Sequence, residues 1–314
     1  MDFIKLNMKK RKVIIVLGPT GSGKSNLALE IAKEFNGFLI AADSRQVYKH
    51  MDIGTNKDKG EWKKKGYFVD DIAEYAVDIV DPKEDFTVAD WIIEVNRVIE
   101  ENSDKLPIIV GGTGLYTSAL TQGFELAPEA SKKIREKFNK KFEKKGLEYL
   151  VEKLLKEDPE AKDLIDLKNP RRVIRALEVI KTTGQKFSEF QKAKKPSKYK
   201  FLQIGIEVNR DELYEKINNR VEEMVKEGLV EEVKDLNEKG YTCDLPIMKN
   251  TIGYKEICEF VQGRTGLDEA KEDLKQNTRH YAKRQITWFK RDKSIKWVKS
   301  HKQVKPFIKA FLSQ

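Results

Sequence analysis

The feature that most constrains this chain is Gly18–Pro19–Thr20–Gly21–Ser22–Gly23–Lys24–Ser25, set directly behind the apolar run Val13–Ile14–Ile15–Val16–Leu17. A continuous run rich in β-branched residues reads as a strand buried on both faces. A helical pattern from Asn26 to Phe35 follows the loop. The eight loop residues fit G-x-x-x-x-G-K-[ST], in the strand–loop–helix context that motif requires. Glycines let successive backbone N–H groups turn inward, and the following helix adds partial positive charge at its N-terminus. Lys24 supplies a point charge between phosphates, and Ser25 is placed to ligate a Mg²⁺ held by them. The loop therefore calls for a ligand bearing a di- or triphosphate, without specifying ATP.

The surrounding pattern extends the unit. Phe38–Leu39–Ile40–Ala41–Ala42 and Ile108–Ile109–Val110 read as further strands. Between them Thr87–Asn102 reads as a helix, capped by Thr87 with Asp90 completing the box, and with Trp91, Val95, Val98 and Ile99 on one face. Alternating strands and helices predict an α/β fold, a parallel sheet with helices on both faces. From about Gly123 to Lys200 the chain turns Lys/Glu-rich and helical. Within it Asn169 suits an N-cap, Pro170 the first helical position and Gly184 the position past the end. Lys192–Lys198 reads as a linker. Phe201–Val208 returns to strand, helices follow around Glu212–Gly228 and Asp268–Arg291, and Ile295–Val298 closes with a short strand. The expected organisation is an α/β core of residues 1–122 and 201–314, interrupted by an all-helical insertion of residues 123–200.

Strand ends in a parallel sheet open on one edge. That places Asp43–Ser44–Arg45–Gln46–Val47–Tyr48 near the phosphate loop, with the polar loop Met51–Lys57 and the turn Gly111–Gly112–Thr113–Gly114. Asp43 suits an indirect metal ligand or a general base, and equally a turn-capping aspartate. Two helices carry clustered cations. Arg171, Arg172 and Arg175 fall within an arc of roughly 100°; Arg279, Lys283, Arg284, Lys290 and Arg291 span roughly 140°. Such faces suit a phosphate backbone or plain solvation. Tyr281, Trp288 and Phe289 read as core.

Lys plus Arg number 61 against 51 Asp plus Glu, a net charge of +10, which favours polyanionic partners. Apolar residues are 39% and charged residues 36%, a globular rather than disordered composition. No stretch approaches a membrane span. Cys243 and Cys258 match no zinc or redox spacing and read as free thiols of a reducing cytosol.

At this point the chain resembles the bacterial tRNA dimethylallyltransferases (tRNA isopentenyltransferases). The matching segments are GPTGSGKS at Gly18–Ser25, DSRQVY at Asp43–Tyr48, MDIGT at Met51–Thr55, DIVDP at Asp78–Pro82 and PIIVGGTGLY at Pro107–Tyr116. NPRRVIRALEV at Asn169–Val179, IGY at Ile252–Tyr254 and TRHYAKRQITWFKR at Thr278–Arg291 complete them in the family's order. The resemblance implies a P-loop-like core holding the pyrophosphate of dimethylallyl pyrophosphate with Mg²⁺. The loop Gly18, Pro19, Thr20, Gly21, Ser22, Gly23, Lys24 and Ser25 would contact that pyrophosphate, Ser25 would bind the metal, and Arg220 would lie near. It assigns Asp43 and Thr113 to catalysis, Asp43 as the base that takes a proton from adenine N6. It assigns tRNA contact to Asp43, Ser44, Arg45, Gln46, Thr113, Arg135, Arg171, Arg172, Val173, Ile174 and Arg175, with the insertion closing over the anticodon arm. Tyr75–Ala76 stand where the family often has a His pair, and Arg45 where it commonly has Met or Leu. The zinc-finger tail of eukaryotic relatives is not seen.

The resemblance implies transfer of a dimethylallyl group to N6 of the adenosine 3′ of the anticodon, position 37, in tRNAs reading UNN codons. A cytoplasmic monomer without membrane attachment is expected. A small-molecule or nucleotide kinase explains the phosphate loop and Mg²⁺ equally well but leaves the basic helices without a purpose. An RNA-binding P-loop switch without transfer chemistry leaves Asp43 idle.

Overall fold

The computed structural model describes residues 10–64, 66–123, 131–192 and 197–314. Most of the expected linker at 192–198 lies outside them. The first stretch comprises β1 (Arg11–Leu17), α1 (Lys24–Glu34), β2 (Gly37–Ala41), β3 (Glu61–Lys63), β4 (Gly66–Val69), β5 (Ile72–Tyr75), α2 (Val88–Glu101), β6 (Leu106–Gly111) and α3 (Gly114–Gln122). Next come α4 (Lys132–Glu157), α5 (Pro170–Thr183) and α6 (Phe187–Lys192). The chain ends with β7 (Tyr199–Ile206), α7 (Arg210–Lys226), α8 (Leu229–Glu238), α9 (Pro246–Asn250), α10 (Tyr254–Val261), α11 (Leu267–Phe289), β8 (Lys296–Val298) and α12 (His301–Ser313). It divides into two compact units, Met1–Thr117 with Lys198–Gln314, and Ser118–Ser197.

The first unit is built on one sheet of order β3-β4-β5-β2-β6-β1-β7-β8. From β5 through β8 every pairing is parallel. Ile14 and Val16 of β1 join a core with Leu27, Ala28 and Ile31 of α1 and with Val304, Ile308 and Phe311 of α12. Alternation sends Val13, Ile15 and Leu17 to the other face, where they are equally buried. Both faces of the central strand are therefore covered, which is why its sequence shows no polar alternation. On α2, Trp91 is fully buried and its indole N–H donates to the Ala41 carbonyl at 2.8 Å.

One edge of the sheet departs from the expected parallel pattern. β3 and β4, and β4 and β5, pair antiparallel. Asp70 and Asp71, at φ 48° and 64°, make the two-residue turn between β4 and β5. Both central residues of such a turn take positive φ. Asp-Asp is a weaker announcement of it than Asn-Gly, so the hairpin is hard to read in sequence. Ion pairs Lys33–Asp70 (3.2 Å) and Lys63–Asp71 (2.8 Å) flank the turn.

The cysteines correct another expectation. Cys243 and Cys258 form a disulfide, buried in a core with Tyr254, Ile257 and Leu236. They stand fifteen positions apart in sequence, and the turn from α8 through α9 into α10 brings them together. Spacing alone carries no trace of that.

The second unit is all helical in its described residues, apart from turns. Asn169 caps α5 by accepting from the Arg171 and Arg172 N–H groups at 3.1 and 3.4 Å, and Gly184 ends it at φ 74°. Its core gathers Leu150 and Leu154 of α4, Val173 and Leu177 of α5, and Phe187 of α6. Buried Asp158 accepts from the Ser188 backbone N–H (2.7 Å) and hydroxyl (2.8 Å), which fixes the start of α6.

The capping box on α2 is present: the Asp90 N–H donates to Thr87 Oγ1 at 3.3 Å, and the Thr87 N–H donates to Asp90 Oδ2 at 2.9 Å. Thr87→Ala leaves an orphan donor at the helix start and should lower stability by about 1 kcal/mol, read as a shifted urea midpoint at unchanged slope.

Candidate active site

The C-terminal ends of β1, β2 and β6 open into a cavity of about 690 Å³. The phosphate loop forms part of its wall: Thr20, Gly21, Lys24 and Ser25 line it. Gly21 and Gly23 take φ 78° and 81°, angles that disfavour a side chain. Gly23 is thereby the left-handed residue that starts α1, and the first N–H groups of that helix have no intrahelical partners. Ser22 Oγ is buried with no hydrogen-bond partner, an unsatisfied donor inside a loop suited to phosphate oxygens.

The turns after β2 and β6 are tied together. The Thr113 N–H donates to the Ala42 carbonyl at 3.1 Å, and Thr113 Oγ1 accepts from the Ser44 N–H at 3.2 Å. A Cβ on Gly111 would lie 2.2 Å from the Ala42 oxygen, so only glycine permits this approach. Asp43 sits between, its Oδ1 accepting from the Arg45 N–H at 2.8 Å. Asp43 and Thr113 are thus neighbours, as the strand order requires. Tyr281 of α11 joins them. Its phenol hydrogen-bonds Thr113, and burial together with the Asp43 charge pushes its pKa up to about 12. The sequence pattern placed Tyr281 in the core; the structure puts it on the cavity wall.

The far side of the cavity comes from the loop after β2 and from α7. Gln46 braces that loop, its Nε2 donating to the Thr55 and Asn56 carbonyls at 3.3 and 2.9 Å. Glu232 of α8 holds it from behind, accepting from the N–H groups of Asp52, Ile53 and Gly54 at 3.0, 2.8 and 3.1 Å. Arg220 of α7 reaches in, its Nε donating to Asn56 Oδ1 at 2.5 Å, with Glu223 and Glu227 as ion-pair partners at 3.4 and 3.3 Å.

Two carboxyl groups that no sequence motif marks complete the site. Asp58 bonds Ser25 and feels the charges of Lys24 and Arg220, yet burial holds its pKa up. Glu74 on β5 is 5% exposed; burial, then the Asp58 charge, push its pKa up to about 8. Lys24 shows the reverse: burial lowers its pKa, opposed by Asp43 and Asp58. A hydroxyl and a carboxylate at Ser25 and Asp58 are the oxygen donors that suit Mg²⁺, which is commonly held by one or two protein groups plus phosphates. Among the described residues no cluster of three or more His, Cys, Asp or Glu could hold a metal alone.

The helical unit places its own candidates. Arg135 Nε and Arg175 Nη1 both reach buried Glu178, at 3.1 and 3.4 Å. Arg171 and Arg172 are exposed. Val173 and Ile174, included in the expected tRNA-contact stretch, are 0% and 8% exposed and belong to the core.

Fold and site together define an α/β protein of P-loop type, whose phosphate loop faces an aspartate across one cavity. The comparisons give the class a family. The IPP transferase family model matches residues 46–292. A relative from Caldanaerobacter subterraneus subsp. tengcongensis, a tRNA dimethylallyltransferase, is 45% identical over 293 residues and 91% of each chain. One of the same name from Geobacter sulfurreducens is 44% identical over 92% of each. Among solved structures, the tRNA isopentenylpyrophosphate transferase of Bacillus halodurans is similar at TM-score 0.70 and 37% identity, over 97% of both chains. A eukaryotic dimethylallyltransferase acting on tRNA is similar at TM-score 0.73 and 31% identity, over 88% of this chain and 69% of that one. The chain belongs to the IPP transferase family.

Glu74 yields a signed prediction. Its pKa is about 8 folded against an ordinary carboxylate value unfolded, so between those values the folded state binds more protons. Stability from this group is therefore lost as pH rises from the ordinary carboxylate value through about 8 and changes no further above it. Glu74→Gln should raise the melting temperature over wild type by more at pH 9 than at pH 5.

Proposed function

We propose that the protein transfers the dimethylallyl group of dimethylallyl pyrophosphate to N6 of adenosine 37, next to the anticodon of tRNAs reading UNN codons. The observation that carries this reading is the shared cavity: a phosphate loop and an Asp43–Thr113 pair line or border one space. The names of the relatives agree in kind.

In this reading the donor's pyrophosphate lies on the N–H groups of the loop, with Lys24 and Arg220 matching its charge. Ser25 and Asp58 would hold Mg²⁺, which when bound adds charge neutralisation at the leaving group. The acceptor adenine leaves its stack to enter the cavity. The N6 lone pair attacks C1 of the dimethylallyl group as the C1–oxygen bond breaks, and the electron pair departs with pyrophosphate. Asp43 takes the proton that N6 must lose. Thr113, fixed by the Ser44 N–H, borders the same position.

tRNA would be held by phosphate contacts from the exposed cations of α5 and α11, with the base read where it is unstacked. A cytoplasmic location and a monomeric state are part of this proposal. Among the described residues no helix is long and apolar enough to cross a membrane. The kinase reading leaves the cationic helices without a partner, and a P-loop switch without transfer chemistry leaves Asp43 idle.

Incubation with dimethylallyl pyrophosphate, Mg²⁺ and unmodified tRNA should yield dimethylallylated adenosine in the digest, detected by mass. Asp43→Ala should retain tRNA binding and lose turnover by about 10²–10⁴-fold. ATP consumption with small acceptors, and no modified adenosine, would put the kinase in its place.

A further inference from the structure

We propose that Gln285 of α11 is a positioning residue that sets the donor cradle against the acceptor base. This rests on the transfer reaction above but assigns a role to a side chain outside the phosphate loop and the Asp43 turn. The geometry is direct. Gln285 Oε1 accepts from the Thr20 N–H, inside the phosphate loop, at 2.9 Å. Its Nε2 donates to the Gly112 carbonyl, one residue before Thr113, also at 2.9 Å. One planar amide thus joins the loop after β1 to the turn after β6.

The chemistry favours an amide there. Joining a peptide N–H to a peptide C=O requires one acceptor and one donor on a single neutral group. Gln285 is 5% exposed and its bond to the Gly112 carbonyl is buried, so losing the amide leaves backbone groups without their partner. The turn is shaped for the contact: a Cβ on Gly112 would stand 2.1 Å from Gln285 Nε2. One helical turn earlier, Tyr281 bonds Thr113. Residues four apart share a helix face, so α11 grips both sides of the reaction with a single edge.

The consequence is specific. Neither pyrophosphate nor tRNA need touch Gln285, so each should bind without it. What Gln285 controls is the distance between the two, and a shift of about 1 Å in reacting atoms costs roughly 10²-fold in rate. The test uses full-length Gln285→Met and Gly112→Ala. The first removes both bonds at similar length; the second pushes the amide away from the other side and carries the test where the first fails to fold. Turnover should fall roughly 10²-fold, while affinity for inorganic pyrophosphate with Mg²⁺ and for tRNA stays within about twofold. Amide hydrogen exchange in Gln285→Met should rise in both segments 18–25 and 111–114. Unchanged turnover, unchanged exchange, or a pyrophosphate affinity that falls in step with turnover would each overturn the proposal. Should wild type make no product, the transfer reading fails, and the exchange comparison alone decides the clamp.

Discussion

Parallel pairing of β2, β6, β1 and β7 is the constraint on which the rest depends. Parallel strands carry their C-terminal ends to one edge, so the loops following them share one space. Ala41 pairs with Val110, and Leu17 with Gly111, which brings the phosphate loop, the Asp43 turn and the Gly111–Thr113 turn to one level. The glycines at that level are needed for distance more than flexibility. Gly111 is pressed against Ala42, and Gly112 against Gln285.

The electrostatics of the cavity follow from its depth. Lys24 loses solvation and would favour neutrality, but Asp43 and Asp58 oppose this. Asp58 loses solvation too, and Lys24 and Arg220 oppose that. Each charge is kept by its neighbours rather than by water. Glu74 has weaker support: beside Asp58, with Lys57 as its counterweight, it is held largely protonated at neutral pH. Lys57 itself is committed elsewhere, paired with Asp52 and Asp78 and donating to the Tyr48 carbonyl at 3.2 Å. The site is thus a patch of balanced charge in which Lys24 is held away from bulk solvent beside two carboxyl groups.

Local signals were legible where one segment carries the whole instruction. The phosphate loop, the Thr87 capping box and the Asn169–Gly184 brackets on α5 need only their neighbours to be read. Asp58 and Glu74 were not legible because each gains meaning from a partner far along the chain. Asp58 matters through Ser25 and Lys24, and lies in a polar loop without a motif. Glu74 sits in Ile72–Ala73–Glu74–Tyr75, where alternation alone suggests a solvent-facing carboxylate. The disulfide was hidden for the same reason, and so was Gln285, one polar residue among many in a cationic helix.

A phosphate loop by itself binds a diphosphate and performs no transfer. What distinguishes a transferase is a second group fixed at the right distance from the loop, and here that distance is not set by the loop's own strand. It is set through β6 and α11. Thr113 is tied to Ser44 beside Asp43, and Gln285 ties the residue before Thr113 to Thr20. Positional error at Asp43 relative to the cradle is therefore limited by three hydrogen bonds of 2.9 to 3.2 Å, two of them made by one buried amide. Parallel strands bring the loops into the same neighbourhood, and that amide joins the phosphate loop to the Thr113 turn directly.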